Sequence, residues 1–563
     1  MSKTPRFSIV TPVYRPRPDH LQETIDSVRE QEFTDWEWIL VDDASKDPGV
    51  TRVLRKAAES DPRITVIERE ENGHIVAASN DGLAAASGEW IVLLDHDDLL
   101  APQSLLEIDE AIVQHPGAGY VYSDEDKVDD RGVLSGAFQK PDWSPERLRH
   151  QMYLGHLSAL RHDLVKEVGG FRQGFDGSQD HDLALRVTEL ADEVVHVPQI
   201  LYHWRMVPGS AAGDPGAKDY ATEAGIRAVQ EHLHRVGRPG DIVERTKLPH
   251  TYAVKRSFSP NTRVSVVIPT RGGKALVWGK ERTLVTGVVE SLLTKTNHSN
   301  LEIVVVYDVD TPEEVLDSLR DLGAPNLILR PYDRPFNFSE KCNLGYLAST
   351  GDVIIFLNDD MEIMSDNFVE NLCAPLEEPD VGLVGARLTF EDGRIQHAGL
   401  AMHDGNFVHA YLLQQDDDEG YFRELVFDHE VSGLTAACVA VRRDVFAEVG
   451  GFNIGLPSNF NDVDLCLKVR ERGYRLIWLA DVRAAHFESM TRDRVVHRWE
   501  VESLLDRWGE PNTDPYMPHE AARMVRLMRS RAARAIDSLG VSAKRVARKG
   551  RSLVEHFRAS EGP

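Results

Sequence analysis

The chain has 563 residues, 42% of them hydrophobic and 28% charged, with a formal net charge of −27. That length exceeds what a single core fills, so two or more domains are expected. The acidic balance excludes non-specific nucleic-acid binding over most of the surface. No run approaches the roughly 18 apolar residues of a membrane span, and the opening "MSKTPRFSIV" lacks the apolar stretch of a signal peptide. Cys342, Cys373, Cys438 and Cys466 have neither paired nor metal-type spacing. They read as reduced thiols of a cytoplasmic protein.

In chain order, "RFSIVTPVYRP" from Arg6 is a β-branched strand stopped by Pro12. "PDHLQETIDSVREQ" follows with helical spacing: Leu21, Ile25 and Val28 share a face, and Asp19 is placed for an N-cap. "WEWILVDDASKD" is a second strand ending in Asp42 and Asp43. "ASNDGLAAASGEWIVLLDHDD" carries Asn80 and Gly88, then a strand that runs into Asp95, His96, Asp97 and Asp98. After "RHDLVKEVGGF", the segment "SQDHDLALRV" opens an amphipathic helix at Asp180, and "YHWRMVPGS" carries His203.

The same series then returns. "RVSVVIPTRGG", "LEIVVVYDVDTP", "KCNLGYLASTGDVIIFLNDD", "RRDVFAEVGGF", "NFNDVDLCLKV" and "AHFESMTR" repeat it in order. The alignment sets Asp308 against Asp43, Asn343 against Asn80, Asp360 against Asp97, Asp462 against Asp180 and His486 against His203. The offset grows along the chain, so the second copy carries insertions, one of them the acidic "QQDDDEGYF" near Gln414. The expected domains are 1–250 and 263–515, joined by a linker at 251–262 and followed by a tail at 516–563. In the tail, Lys and Arg far outnumber acids and apolar residues recur at helical spacing. It reads either as a solvated helical tail or as a surface helix for anionic lipid or an acidic partner.

Alternating strands and helices predict an α/β fold with a parallel, doubly wound sheet in each copy. Ligands then bind beyond the carboxyl ends of the strands, where the acids fall. Acids in that position have three readings: a solvated turn, a divalent-cation site, or a carboxylate gripping ribose. Aspartate and diphosphate oxygens suit Mg²⁺ or Mn²⁺, and a histidine returning at the matching place in both copies tilts the choice towards Mn²⁺. Asp180 and Asp462 are either N-caps or general bases. The first strand runs into "TPVYRP" rather than GxGxxG, and no GxxxxGK[ST] occurs, which excludes a dinucleotide dehydrogenase and a P-loop hydrolase.

Both halves resemble inverting family-2 glycosyltransferases of the GT-A fold, and the tandem arrangement is similar to that of enzymes building bacterial surface polysaccharides such as O-antigen or rhamnose-containing glycans. The carriers are "SIVTPVY", "LVDDASKD", "NDGLAAASGEWIVLLDHDD" and "QDHDLALR" in the first half. In the second they are "SVVIPT", "NLGYLASTGDVIIFLNDD", "IQHAGL", "GLTAACVAVRRDVFAEVGGF" and "NDVDLCLKVRERGYRLIW". The resemblance implies two Rossmann-like GT-A domains with mixed sheets and a basic helical tail. It maps the Asp-x-Asp motif onto Asp95, His96 and Asp97, and onto Asn358, Asp359 and Asp360, where Asn replaces the first acid. It implies Asp97, His203, Asp360 and His486 as ligands of Mn²⁺ or Mg²⁺. Thr11, Tyr14, Asp43, Asn80, Asp95, Thr270, Asp308, Asn343, Asn358 and Asp359 become donor-binding positions. Asp180 and Asp462 become the bases, although the family's preceding Glu is here Gln179 and Asn461. The implied partners are a UDP- or dTDP-sugar and a lipid-linked glycan acceptor, with no nucleic acid. The implied place is the cytoplasm, at the inner membrane face through the basic tail. An alternative keeps one catalytic half and makes the other a glycan- or nucleotide-binding module. A nucleotidyltransferase is disfavoured by the missing Gly- and Arg-rich loop after the first strand.

Overall fold

The computed structural model describes residues 4–206, 219–324, 326–403, 406–487, 496–510, 513–519 and 523. By packing, the chain divides into two units, Met1–Lys255 and Arg256–Pro563. Part of the stretch expected as linker is strand: Tyr252–Lys255 pairs antiparallel with Ile242–Arg245 inside the first unit.

The first unit is built on a nine-stranded sheet: β1 (Phe7–Val13), β2 (Trp36–Asp42), β3 (Ile64–Glu68), β4 (Trp90–Leu93), β5 (Leu99–Leu100), β6 (Ala118–Val128), β7 (Leu134–Phe138), β8 (Ser158–Arg161) and β9 (Glu193–Arg205). Their spatial order is β3-β2-β1-β4-β8-β6-β9-β5, with β7 beside β6. The β3-β2-β1-β4 part is parallel. β8 then runs antiparallel to β4 and β6, and β9 is parallel to β6. The sheet is therefore mixed, and its wholly parallel reading holds only for the first four strands, which are joined by helical crossovers.

Alternation along β1 sorts the helices. Phe7, Ile9 and Val13 pack with Leu21, Ile25 and Val28 of helix Pro18–Arg29 and with Val50, Leu54 and Ala57 of helix Pro48–Ser60. On the other face, Gly82 of helix His74–Ala85 lies so close to Val10 that a Cβ would sit 2.5 Å from its Cγ1. This is doubly wound packing, with each face burying the odd or even residues of one apolar strand. Helix Pro18–Arg29 starts with Pro18 in its first turn, so Asp19 is inside the helix and not its cap. Proline favours that first position because its missing N–H has no helical partner there.

The second unit repeats this plan strand for strand. Val264–Thr270, Leu301–Asp308, Leu327–Tyr332, Val353–Leu357, Met361–Ile363, Val381–Thr389, Cys438–Arg442 and Arg475–His486 take the places of β1 to β6, β8 and β9 in the same spatial order. Valines of its first strand enter different clusters on its two faces, Val266 with Val285 and Val288, and Val267 with Cys342 and Val304.

The duplication extends to hydrogen bonds. Ser8 Oγ donates to Glu37 and receives Gly88 N–H. Ser265 Oγ donates to Glu302 and receives Gly351 N–H. A Cβ on either glycine would fall within 2.7 Å of the serine nitrogen, a close approach open only to glycine.

The insertions in the second unit are the hairpin Lys274–Val277 with Lys280–Thr283, the hairpin Leu400–His403 with Asn406–His409, and the acidic loop, while the strand Ile395–His397 pairs antiparallel beside the β6 counterpart as β7 does beside β6. Asp416 of that loop pairs with Arg387 and Arg483. Met517 is fully buried in the second unit's core, and Asp514 accepts from Tyr516 N–H and Met517 N–H. The unit therefore runs past 515, and nearly all of the expected tail lies outside the described residues. Among the described residues, no helix is long and apolar enough to cross a membrane.

Candidate active site

In both units β1 or its counterpart lies between two parallel neighbours, and the acidic stretches leave from the carboxyl ends of those neighbours. That is the switch point at which such sheets bind ligands.

At the end of β2, Asp43 is 2% exposed. Its Oδ1 accepts from Arg69 at 2.6 Å and from Gly73 N–H at 2.8 Å. Asp308, its counterpart, meets Lys341 Nζ at 2.6 Å. Lys341 stands in the middle of helix Phe338–Ala348, where the first copy has Ala78, and also donates to Thr270 O at 2.8 Å. The two copies thus neutralise one carboxylate from different elements. Neither cation was expected from the sequence pattern, which fixes backbone positions and not the reach of long side chains.

Thr11 and Thr270 are not equivalent. Pro12 pairs with Val41 and Pro269 with Val306, so Thr11 precedes the matched proline and Thr270 follows it. Thr11 Oγ1 is fully buried and accepts from the Trp38 indole at 2.9 Å. Thr270 instead donates to Asp359 Oδ2 at 2.6 Å. Tyr14 is 43% exposed at the end of β1. Asn80 and Asn343 use both ends of their amides on backbone. Asn80 donates to Phe171 O and accepts Phe171 N–H at 2.9 and 3.0 Å, and Asn343 does the same with Phe452 at 2.8 and 2.9 Å. They latch the Gly-Gly-Phe turns.

The acid run after β4 divides by depth. Asp98 points inward, where its carboxylate accepts from Tyr202 Oη at 2.5 Å and Arg205 N–H at 2.7 Å. Burial pushes its pKa well up. Asp97 is part-exposed and is also raised by burial. Asp95 is the most open, 4.0 Å from His156. His203 lies opposite Leu99 across the sheet. Its Nδ1 is 2.6 Å from Asp126 Oδ1, and it makes no direct bond to Asp97.

The second copy is more closely assembled. His486 Nε2 is 3.1 Å from Asp360 Oδ1, and its Nδ1 is 2.6 Å from Gln396 Oε1. Asn358 Nδ2 reaches the same Nε2 at 3.5 Å, and Asn358 Oδ1 is buried with no partner among the described residues. Asp359 is pushed up to about 7, first by burial and then by the neighbouring charge of Asp360. An orphaned amide oxygen, two crowded carboxylates and an imidazole nitrogen make a donor set suited to Mn²⁺ or Mg²⁺. The inserted hairpin approaches this turn: Trp278 packs edge-on against Phe487, 5.0 Å between ring centres, and Phe487 N–H donates to Asp360 O at 2.9 Å.

Asp180 sits in the first turn of helix Gln179–Thr188, and Asp462 in that of helix Asn461–Glu471. Neither is the N-cap, which is Ser178 in one and Phe460 in the other. Each accepts the N–H of the next residue, at 2.8 and 2.9 Å, and neither has an ion pair among the described residues. Two residues on, Asp182 is bound by Arg172 and Arg186, and Asp464 by Lys468, Arg507 and the Trp508 indole. The inner acid of each pair is structural and the outer one is left half-buried and unneutralised. Around Asp180 stand Tyr120, His181 and Tyr252; the last two stack at 5.7 Å, and burial first, with the charge of Asp180 adding to it, raises both tyrosine pKa values.

A family model described as glycosyl transferase family 2 matches residues 8–169 and again 265–450. The chain belongs to glycosyl transferase family 2. The two mixed sheets are its two tandem GT-A domains. Among family relatives, protein y4gI of Sinorhizobium fredii is 39% identical over 517 residues, 90% of this chain and 56% of that protein. The O-antigen biosynthesis protein RfbC of Myxococcus xanthus is 35% identical over 526 residues, 92% of this chain and 40% of that protein. The chain spans about half the length of these relatives. Among solved structures, Staphylococcus aureus TarS 1-349 in complex with UDP-GlcNAc aligns with a TM-score of 0.34 at 20% identity, over 40% of this chain and 66% of that one.

Proposed function

We propose that the chain is a bifunctional inverting glycosyltransferase, with one nucleotide-sugar site in each GT-A domain. The observation that carries this is the matched pair of unneutralised acids, Asp180 and Asp462, each beside a structurally committed acid at the same helix position. A half-buried carboxylate with no ion pair among the described residues is suited to accept a proton.

In this reading Asp180 or Asp462 takes the proton of an acceptor hydroxyl as its oxygen attacks the anomeric carbon. The bond from that carbon to the diphosphate oxygen breaks on the opposite face, and the configuration inverts. Asp97 with His203, and Asp360 with His486, would hold Mn²⁺ or Mg²⁺, which when bound offsets charge building on the leaving diphosphate. Asp43 keeps Oδ2 clear of hydrogen bonds among the described residues, leaving it for a base or ribose donor. Asp308 serves the second nucleotide with Tyr307 beside it where the first copy has Asp42, so the two base pockets differ.

The name of the Myxococcus xanthus relative supports a surface polysaccharide as product. A UDP- or dTDP-sugar donor and a lipid-linked acceptor at the inner membrane face fit that product, with the basic segment after Pro518 as an electrostatic tether. Truncation after Pro518 tests the tether. Loss of sedimentation with anionic liposomes, with transfer to a soluble acceptor retained, is expected; unchanged sedimentation contradicts it.

A further inference from the structure

We propose that Asp126 and Gln396 are positioning residues for His203 and His486, and that the carboxylate gives the first site a tighter hold on a divalent cation than the amide gives the second. This rests on the metal-assisted reading above.

Asp126 lies on β6 directly opposite His203 on the parallel neighbour β9. It is 5% exposed, and its one ion-pair partner among the described residues is His203 Nδ1, at 2.6 Å. An ionised carboxylate can only accept a hydrogen bond. The ring proton must therefore sit on Nδ1, which leaves the Nε2 lone pair directed away from Asp126 and ready for a cation. A carboxylate behind a ligating imidazole fixes tautomer and ring orientation together.

The second copy lacks this carboxylate. Thr389 pairs with Ala485, one residue short of His486, and the next residue in the place of Asp126 is Phe390. The strand Ile395–His397, which pairs where β7 pairs in the first unit, supplies Gln396 instead, its Oε1 2.6 Å from His486 Nδ1. An amide has a donor end and an acceptor end. With Oε1 on the ring, His486 holds its proton at Nδ1. With the amide turned over, NH₂ faces Nδ1 and the ring proton moves to Nε2, where Asp360 Oδ1 at 3.1 Å accepts it. Among the described residues, Gln396 Nε2 is buried without a partner in the observed orientation, so none of them locks its far side. Asp126 selects the cation-ready tautomer, and Gln396 leaves both open. The first site also gains a negative charge behind its histidine where the second has a neutral amide.

The test measures Mn²⁺ binding to the full chain from the electron paramagnetic resonance signal of free aquo Mn²⁺, with and without UDP. His486→Ala isolates the first site and His203→Ala the second. In the His486→Ala background, Asp126→Asn is expected to weaken Mn²⁺ binding about tenfold or more, the usual scale for such outer partners. In the His203→Ala background, Gln396→Glu is expected to tighten it by a similar factor, a gain that misfolding cannot produce. Mn²⁺ affinities unchanged within about twofold in both variants would overturn the positioning role and leave the metal-assisted reading intact. Failure of the unmodified chain to bind Mn²⁺ in either condition would overturn both.

Discussion

Lys341 Nζ lies 2.6 Å from Asp308 Oδ1, and the lysine is 2% exposed. In the first unit the same carboxylate position is served by Arg69, whose side chain is 21% exposed, and by the N–H of Gly73. A buried charge left alone costs far more than a part-exposed one. Arg69→Met leaves Asp43, 2% exposed, with only the Gly73 N–H among the described residues, and is therefore expected to lower the stability of the first unit by about 3 kcal/mol. Lys341→Met leaves Asp308, whose side chain is 23% exposed, and should cost the second unit about 1 kcal/mol or less. Urea unfolding of the full chain, resolved into its transitions, measures both. Equal losses would contradict the contrast.

The paired acids predict a separation of stability from activity. Asp182 and Asp464 neutralise the cations that tie their helices to neighbouring segments. Asp182→Asn and Asp464→Asn should each destabilise their unit by about 3 kcal/mol. Asp180→Asn and Asp462→Asn should stay within about 0.5 kcal/mol of the parent, since they remove no ion pair. Thermal unfolding of the four variants decides it, and a large loss in Asp180→Asn would make that residue structural.

Asn80 and Asn343, placed by family resemblance at the donor, are held by the Phe171 and Phe452 backbones. Asn80→Ala and Asn343→Ala should each cost about 1–3 kcal/mol of stability, because a donor and an acceptor lose their partner. Affinity for UDP or dTDP by calorimetry should be unchanged. A selective loss of nucleotide affinity at full stability would return these residues to the donor site.

His196 gives the first unit a pH dependence. Its ring bridges Asp124 and Asp142 at 2.9 Å each and stacks on Tyr122 at 4.8 Å. Burial disfavours the charged ring, but the two carboxylates outweigh it and raise the pKa above the ordinary histidine value. A folded pKa above the unfolded one means stabilisation fully present below about pH 6.5 and lost as pH rises through the folded pKa. His196→Gln should remove that fall. Unfolding free energies of parent and variant from pH 5.5 to 8.5 should converge as pH rises; parallel curves would contradict the assignment.

The sequence pattern exposed features tied to backbone position: the duplicated strand series, the acids at strand ends, the recurring histidines. What it hid depends on side-chain reach. Lys341 reads as an ordinary helix residue until its Nζ is followed to Asp308. Asp126 left little signal, since it lies within the polar run Ser-Asp-Glu-Asp-Lys towards the end of β6. Gln396 lies in "IQHAGL", on the strand that takes the place of β7, but nothing in that motif sets its amide beside His486. The mixed sheet followed from the family resemblance and not from the strand pattern, because β8 is a short apolar strand whose sequence does not reveal its direction.

The central claim is that each domain transfers a sugar with its own base. Its most direct test is Mn²⁺-supported transfer from a panel of nucleotide sugars by the full chain and by its Asp180→Asn and Asp462→Asn variants. The account predicts two linkages, with each variant losing about 10²-fold or more in one of them and keeping the other. Full retention of both linkages by Asp462→Asn would contradict it, and would make the second domain a binding module.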